Sequence, residues 1–345
     1  MRLLAAAGLL VIASACGTLP SAGTTPNASA TAPTAVSAQT PLPGPTDPSR
    51  PMLPLVRVDF SCRLPVFTND QNGRGYLFVD FPSGKVTPTQ GQGDFNDFYD
   101  AVVAKWLTVP SALVSPDGRQ YATVEGSGSS TPPPTPIRVD IVDAATGTNV
   151  HVLTMPDTRN YFPVAYTARG VDMRVTTEPG VWRLDPTTGQ VTKVSNTNYP
   201  PDAEWIGVVD PRDANPARSG YNNAPIADRI DHRDATGKVS TWLYLPGQGL
   251  TWFPFQEPNT LLVEASLNGN TDIYVLSGPN QLTRVLSIPQ GAPGVYAGLE
   301  AALPYRVFAD SHGIWMGHDS MYLFTSSGVI ERVHWQPGWP AGPCV

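Results

Sequence analysis

From about residue 60 onward, apolar and polar positions alternate in short runs, and each run breaks at turn residues before another begins. The same phrase recurs six times. It reads "GYLFVDFPSGKVTPT" from Gly75, "RVDIVDAATGTNVHVL" from Arg138, "GVWRLDPTTGQVTKVS" from Gly180, "RIDHRDATGKVSTWLYL" from Arg229, "TDIYVLSGPNQLTRVLS" from Thr271 and "SMYLFTSSGVIERVHW" from Ser320. In each, Asp, Ser or Thr bends the backbone ahead of a glycine that accepts positive φ, which predicts a β-hairpin. A lone hairpin is marginal, so the copies must pack on one another. The turn glycines, Gly84, Gly147, Gly189, Gly237, Gly278 and Gly328, mostly recur every 40 to 50 or so residues, the spacing of a propeller blade. The pattern predicts an all-β fold over residues 53–345: a β-propeller of six blades, each of four antiparallel strands.

Between the hairpins lie candidate inner strands, best seen in "ALVSPDGRQYATVEG", Ala112 to Gly126, where two apolar runs flank a Ser-Pro-Asp-Gly turn. With Asp143, Thr146 and Gly147 in the hairpin that follows, and "NGNTDIYVLSG" from Asn268, these motifs resemble the TolB-type six-bladed propellers and the related propeller of prolyl oligopeptidases. That resemblance covers most of Phe60 to Trp335 as a repeat. It implies a fold and assigns no activity.

The first interval, Gly84 to Gly147, exceeds one blade by about 20 residues. Two inserts account for the excess. In "DFNDFYDAVVAKWL", Phe95, Phe98, Val102, Val103 and Trp106 recur at helical spacing behind Asp94, which predicts a short capped amphipathic helix, either a lid or a cover packed on the blade beneath. The other insert is the Gly/Ser/Pro loop "GSGSSTPPPTP".

The N-terminus follows different rules. Arg2, the apolar run Leu3 to Ala13 and a small-residue end make a secretory signal that is too short to span a bilayer. Ala13-Ser14-Ala15-Cys16 resembles the lipobox of bacterial lipoproteins, which implies cleavage after residue 15 and attachment of lipid, palmitate included, to Cys16. Ala13 stands where that family usually has Leu, and ordinary signal-peptidase cleavage near Ala15 is the alternative. Residues 16–52 then form a Pro/Ser/Thr-rich linker with almost no large apolar groups, which predicts disorder. Its reach lies between a coil of roughly 30 Å and a polyproline rod of roughly 110 Å, so the folded part is expected to stand off a membrane to which the lipid holds it.

Composition narrows the partners. Only 15% of the chain is charged, with a net charge of -7, so nucleic acid is not an expected partner. Of three cysteines, one is taken by the anchor. Cys62 and Cys344 stand at the two ends of the folded region, which are neighbours in a ring but not in a linear fold, and an exported compartment permits their oxidation. A disulfide there would pin the ring shut; two unpaired thiols are the alternative.

Signatures of catalysis are sparse. The chain has no G-x-S-x-G, H-E-x-x-H, P-loop, G-x-G-x-x-G or C-x-x-C, and no catalytic residue or cofactor is assigned. "ADSHGIWMGHDS" gathers Asp310, His312, His318 and Asp319, a donor set suited to zinc or manganese, with solvated loops between strands as the alternative. Trp335 and Trp339 are expected to seal the last blade against the first. The expectation is thus a monomeric, extracytoplasmic, membrane-tethered lipoprotein that acts as a non-enzymatic binding or scaffold module for an envelope protein, peptide or glycan. The rival reading is a lactonase- or lyase-like propeller enzyme with a divalent metal at the funnel mouth, and side chains converging from three or more blades would favour it.

Overall fold

The computed structural model describes residues 55–70, 73–89, 96–125, 135–208, 227–288, 307–317, 320–334 and 338–345. The signal, Cys16, the linker, Asp94, Phe95, His318, Asp319 and Trp335 lie outside the described residues, and so does most of the Gly/Ser/Pro insert.

Successive antiparallel sheets follow one another along the chain as six propeller blades. Blade 1 holds β1 (Cys62–Asp70), β2 (Gly73–Phe81) and β3 (Lys85–Pro88). A separate hairpin follows, β4 (Phe98–Asp100) and β5 (Lys105–Leu107). Blade 2 contains β6 (Gln120–Glu125), β7 (Arg138–Asp143) and β8 (Asn149–Thr154). Blade 3 runs through β9 (Tyr161–Thr167), β10 (Gly170–Val175), β11 (Glu178–Leu184) and β12 (Val191–Ser195). Blade 4 has β13 (Trp205–Val208), β14 (Arg229–Arg233) and β15 (Val239–Tyr244). Blade 5 comprises β16 (Gly249–Pro254), β17 (Leu261–Leu267), β18 (Asn270–Leu276) and β19 (Leu282–Ile288). Blade 6 is β20 (Val307–Asp310), β21 (Gly313–Gly317), β22 (Met321–Phe324) and β23 (Ile330–His334). The two-residue β24 (Trp339–Pro340) then returns to pair with β1, completing blade 1 in the order β24-β1-β2-β3.

Each of the six repeated phrases is the hairpin of the third and fourth strands of its blade. Five of the turn glycines carry positive φ, from 68° at Gly84 to 85° at Gly237. In blade 5 that role passes from Gly278 to Asn280, at φ 59°, because Asn tolerates the left-handed region through its short polar side chain. Blade 2 follows the motif with one reduction. Its first strand shrinks to a single bridge, Val114 to Tyr121, behind a 3-10 turn over Ser111–Leu113. The Ser115 hydroxyl still donates to Asp117 at 2.7 Å and Gly118 takes φ 69°, so the Ser-Pro-Asp-Gly turn forms as the sequence predicts.

Apolar faces are buried between blades rather than within them. Ile314, Met316 and Phe324 of blade 6 pack with Leu262, Ile273 and Val275 of blade 5. Blades 4 and 5 share Ile230, Leu243, Leu261 and Val263, and blades 2 and 3 share Val139, Ile141, Val171 and Met173. Trp315 and Leu323 of blade 6 meet Leu64, Val66 and Val79 of blade 1, which closes the circle. Each such fully buried side chain contributes about 1.5–3 kcal/mol, so one blade removed from its neighbours would lose most of its stabilisation.

The predicted helix over residues 94–107 is a correction. The described part of that stretch is the β4–β5 hairpin, with Phe98 opposite Leu107 and Tyr99 opposite Trp106. Asp100 accepts a hydrogen bond from the Val102 amide at 2.7 Å, a local turn bond that competes with helical pairing, and Ala104 takes φ 52°. Alternating aromatics then win over helical spacing: Trp106 stacks on Tyr76 at 4.1 Å, Tyr99 meets Phe78 edge-on at 5.0 Å, and Val102 stays exposed. The insert covers blade 1, as the covering alternative had it, but as a hairpin.

Candidate functional site

The ends of the folded region meet where the sequence placed its metal candidates. Cys62 and Cys344 form a disulfide with their Cα atoms 5.5 Å apart, spanning 282 residues of chain. Around it the C-terminal segment is zipped to β1: Arg63 N–H donates to the Val345 carbonyl at 2.7 Å and Val345 N–H returns the bond at 3.1 Å. Trp339 lies against Phe67 at 5.9 Å, so it packs within blade 1 beside its own partner strand β1 instead of sealing blade 6 against it. On the other side, Val56 N–H donates to the Arg332 carbonyl at 2.8 Å, so the start of the described chain is also strapped to the outermost strand of blade 6.

Asp310, at the end of β20, is buried against this closure. Its Oδ2 accepts from the Trp315 indole at 2.6 Å and from the Cys344 amide at 2.9 Å. Its Oδ1 accepts from the His312 amide at 2.8 Å and lies 3.2 Å from His312 Nδ1. His312 in turn stacks on Phe60 at 4.0 Å. Of the four metal candidates, the structure therefore brings Asp310 and His312 together, while His318 and Asp319 lie outside the described residues. A carboxylate has about four acceptor sites, and those of Asp310 are engaged by protein donors that tie blade 6 to the last residues. The cluster works as a clasp. Among the described residues, no group of three or more His, Cys, Asp or Glu side chains is placed to hold a metal ion.

Two further polar constellations escaped sequence reading. Asp157, Arg159, Glu178 and Lys193 ring Trp182, with the Arg159 guanidinium 5.2 Å and the Lys193 ammonium 4.7 Å from its ring. The Arg159 guanidinium holds the Asp157 carboxyl below its ordinary pKa, and burial pushes the Tyr161 hydroxyl up to about 12. The second is spread over blades 2, 3 and 4, where Asp140, Asp172 and Asp231 are buried and paired with Arg138, Arg183 and Arg229 at 2.8, 2.7 and 3.1 Å. The only hint in the sequence is arginine two positions before aspartate in "RVD" and "RID". The Asp172–Arg183 pair joins neighbouring strands that no local spacing links.

No protein-family model matches the chain, and no curated protein is similar to it in sequence. Among solved structures it is similar to TolB from Acinetobacter baumannii, at 12% identity and a TM-score of 0.37 over 83% of this chain and 68% of that one. It is likewise similar to AztD of Citrobacter koseri, at 11% identity and 0.43 over 81% and 96% of the two chains. A third likeness is to the acylaminoacyl peptidase of Pyrococcus horikoshii, at 10% identity and 0.34 over 78% and 43%. The six-bladed architecture itself stands on the strand pairing described above: the chain is a disulfide-closed β-propeller.

Proposed function

We propose that this chain is an extracytoplasmic lipoprotein whose β-propeller is tethered to the cell membrane through Cys16 and acts as a non-enzymatic binding module for an envelope protein, peptide or glycan. The observation that carries the reading is the Cys62–Cys344 disulfide. A bond of that kind persists in exported proteins and is rare in reducing compartments. It uses two of the three cysteines and leaves Cys16, inside its lipobox-like segment, as the acylation site. The binding role is favoured over catalysis by what these buried carboxylates do: Asp140, Asp172 and Asp231 each face an arginine of their own blade and serve the sheets.

The anchor is tested by growing cells on labelled palmitate and comparing the full chain with Cys16→Ser. Label is expected on the native protein in the membrane fraction, and the variant is expected to be unlabelled and released. Equal labelling of both, or a native chain found wholly in the soluble fraction, overturns the tether. Pull-down with the full chain tests the binding role.

A further inference from the structure

On β10, Val171, Met173 and Val175 enter the apolar cluster shared with blade 2, so Asp172 and Arg174 project from the opposite face, toward blade 4. Asp172 is met there by Arg183, which also reaches Asp202 at 3.2 Å. Arg174, two positions on, has no carboxylate among the described residues. One of its terminal N–H groups donates to the Asn198 carbonyl at 2.7 Å, and its Nε–H is sealed from solvent with no hydrogen-bond partner among the described residues. Arg63, Arg138, Arg159, Arg183 and Arg229 differ in this respect, each holding an aspartate at 2.6–3.1 Å.

The surroundings of Arg174 are built rather than loose. Asn198 and Tyr199 lie between β12 and β13, where blade 4 has no first strand among the described residues. The Tyr199 ring stacks on Trp252 of β16 at 6.3 Å, and Gly207 of β13 backs it so closely that a side chain there would collide with both rings. Burial holds the Arg174 guanidinium below its ordinary pKa, yet arginine does not shed its proton in a protein. The guanidinium fork matches a carboxylate or phosphate edge. Arg174 is half-buried rather than fully enclosed, so part of the residue stays open to solvent.

We propose that the seam between blades 3 and 4 is an anion-binding site, in which Arg174 receives the carboxylate or phosphate group of a ligand and Tyr199 forms the wall beside it. The site gives the binding-module reading a ligand chemistry and rests on that reading. Its test does not involve the anchor, so failure of the palmitate experiment and failure of this one are distinguishable.

The test titrates the full chain, its Arg174→Gln variant and its Arg174→Lys variant with inorganic phosphate and, separately, with acetate, at ionic strength fixed with sodium chloride. Thermal midpoint and calorimetric heat are the readouts. A saturable rise in midpoint with one of the two anions is expected for the native chain, with affinity at least tenfold weaker in Arg174→Gln and intermediate in Arg174→Lys. The anion that acts tells a phosphate ligand from a carboxylate one. An equal response of the native chain and Arg174→Gln overturns the site, and so does no response of the native chain to either anion. Should the variants not fold, phenylglyoxal labelling of the native chain decides: the effective anion should slow modification of Arg174 at least threefold and leave exposed Arg169 unchanged. Equal labelling of Arg174 with and without anion overturns the proposal.

Discussion

Asp143, Asp185 and Asp234 each turn one carboxylate oxygen back onto the hairpin they open, accepting from the amides of Thr146 at 2.7 Å, Thr187 at 2.8 Å and Thr236 at 2.9 Å. These bonds hold all three carboxyls below their ordinary pKa; the Thr146 and Thr236 hydroxyls lead for Asp143 and Asp234, and the Thr187 amide leads for Asp185. The sign follows. With the folded value depressed below the unfolded one near 3.9, the stabilisation is complete above about pH 5 and is lost as pH falls through the folded value. Thermal midpoints measured from pH 7 to pH 3 should stay level and then drop, and Asn at all three positions should flatten the drop. An unchanged acid limb in that triple variant would remove these turns as its cause. Gly170 poses a different constraint: at φ 127°, a Cβ there would lie 2.5 Å from the Leu184 carbonyl oxygen. Strain and backbone collision together should make Gly170→Ala cost about 2–4 kcal/mol in urea unfolding.

At the scale of elements, the β4–β5 hairpin is the most exposed to experiment, because helix and hairpin bury different residues. Trp106 packs on Tyr76, Phe78 and Tyr99, so Trp106→Ala should destabilise by about 3 kcal/mol. Val102 would sit on the apolar face of a helix but is 67% exposed in the hairpin, and Val102→Ser should change stability by less than about 0.5 kcal/mol. A large loss at Val102 would restore the helix. The contrast also shows where sequence is legible. The six outer hairpins announce themselves through turn chemistry confined to a few adjacent residues. The insert does not, since Phe98, Val102 and Trp106 suit a 3.6-residue period while Tyr99 opposite Trp106 suits a strand, and the decision rests with Tyr76 and Phe78 of another blade. The same limit governs the sites. Cys62 and Cys344 are legible because a ring brings its ends together, and Asp310 stands out beside His312 in the sequence. Its partners Trp315 and Cys344 are fixed only by the fold, and Arg174 is silent because what marks it is the absence, among the described residues, of a nearby carboxylate in space.

For the whole molecule, closure is the one step in which the two ends of the folded chain must be held together, and the apolar packing of blade 6 on blade 1 is reinforced there. Three devices converge on it: the disulfide, the β24–β1 pairing and the Asp310 clasp. Removing the covalent link in a Cys62→Ser, Cys344→Ser double variant should cost about 2–5 kcal/mol, mainly by freeing the unfolded chain from a very long loop. The other two devices should keep the ring assembled. Hydrogen exchange should therefore quicken at β24, β1 and Val345 while β10 and β14, in blades 3 and 4 across the ring, keep their native protection. Asp310→Asn probes the clasp, since an amide cannot present two acceptor oxygens to Trp315, Cys344 and His312 together. Because Asp310 grips the amide of Cys344 itself, the two changes act on one joint and should couple by about 0.5–3 kcal/mol in a double-mutant cycle. Additivity within about 0.3 kcal/mol would mean that carboxylate and disulfide hold the ring independently.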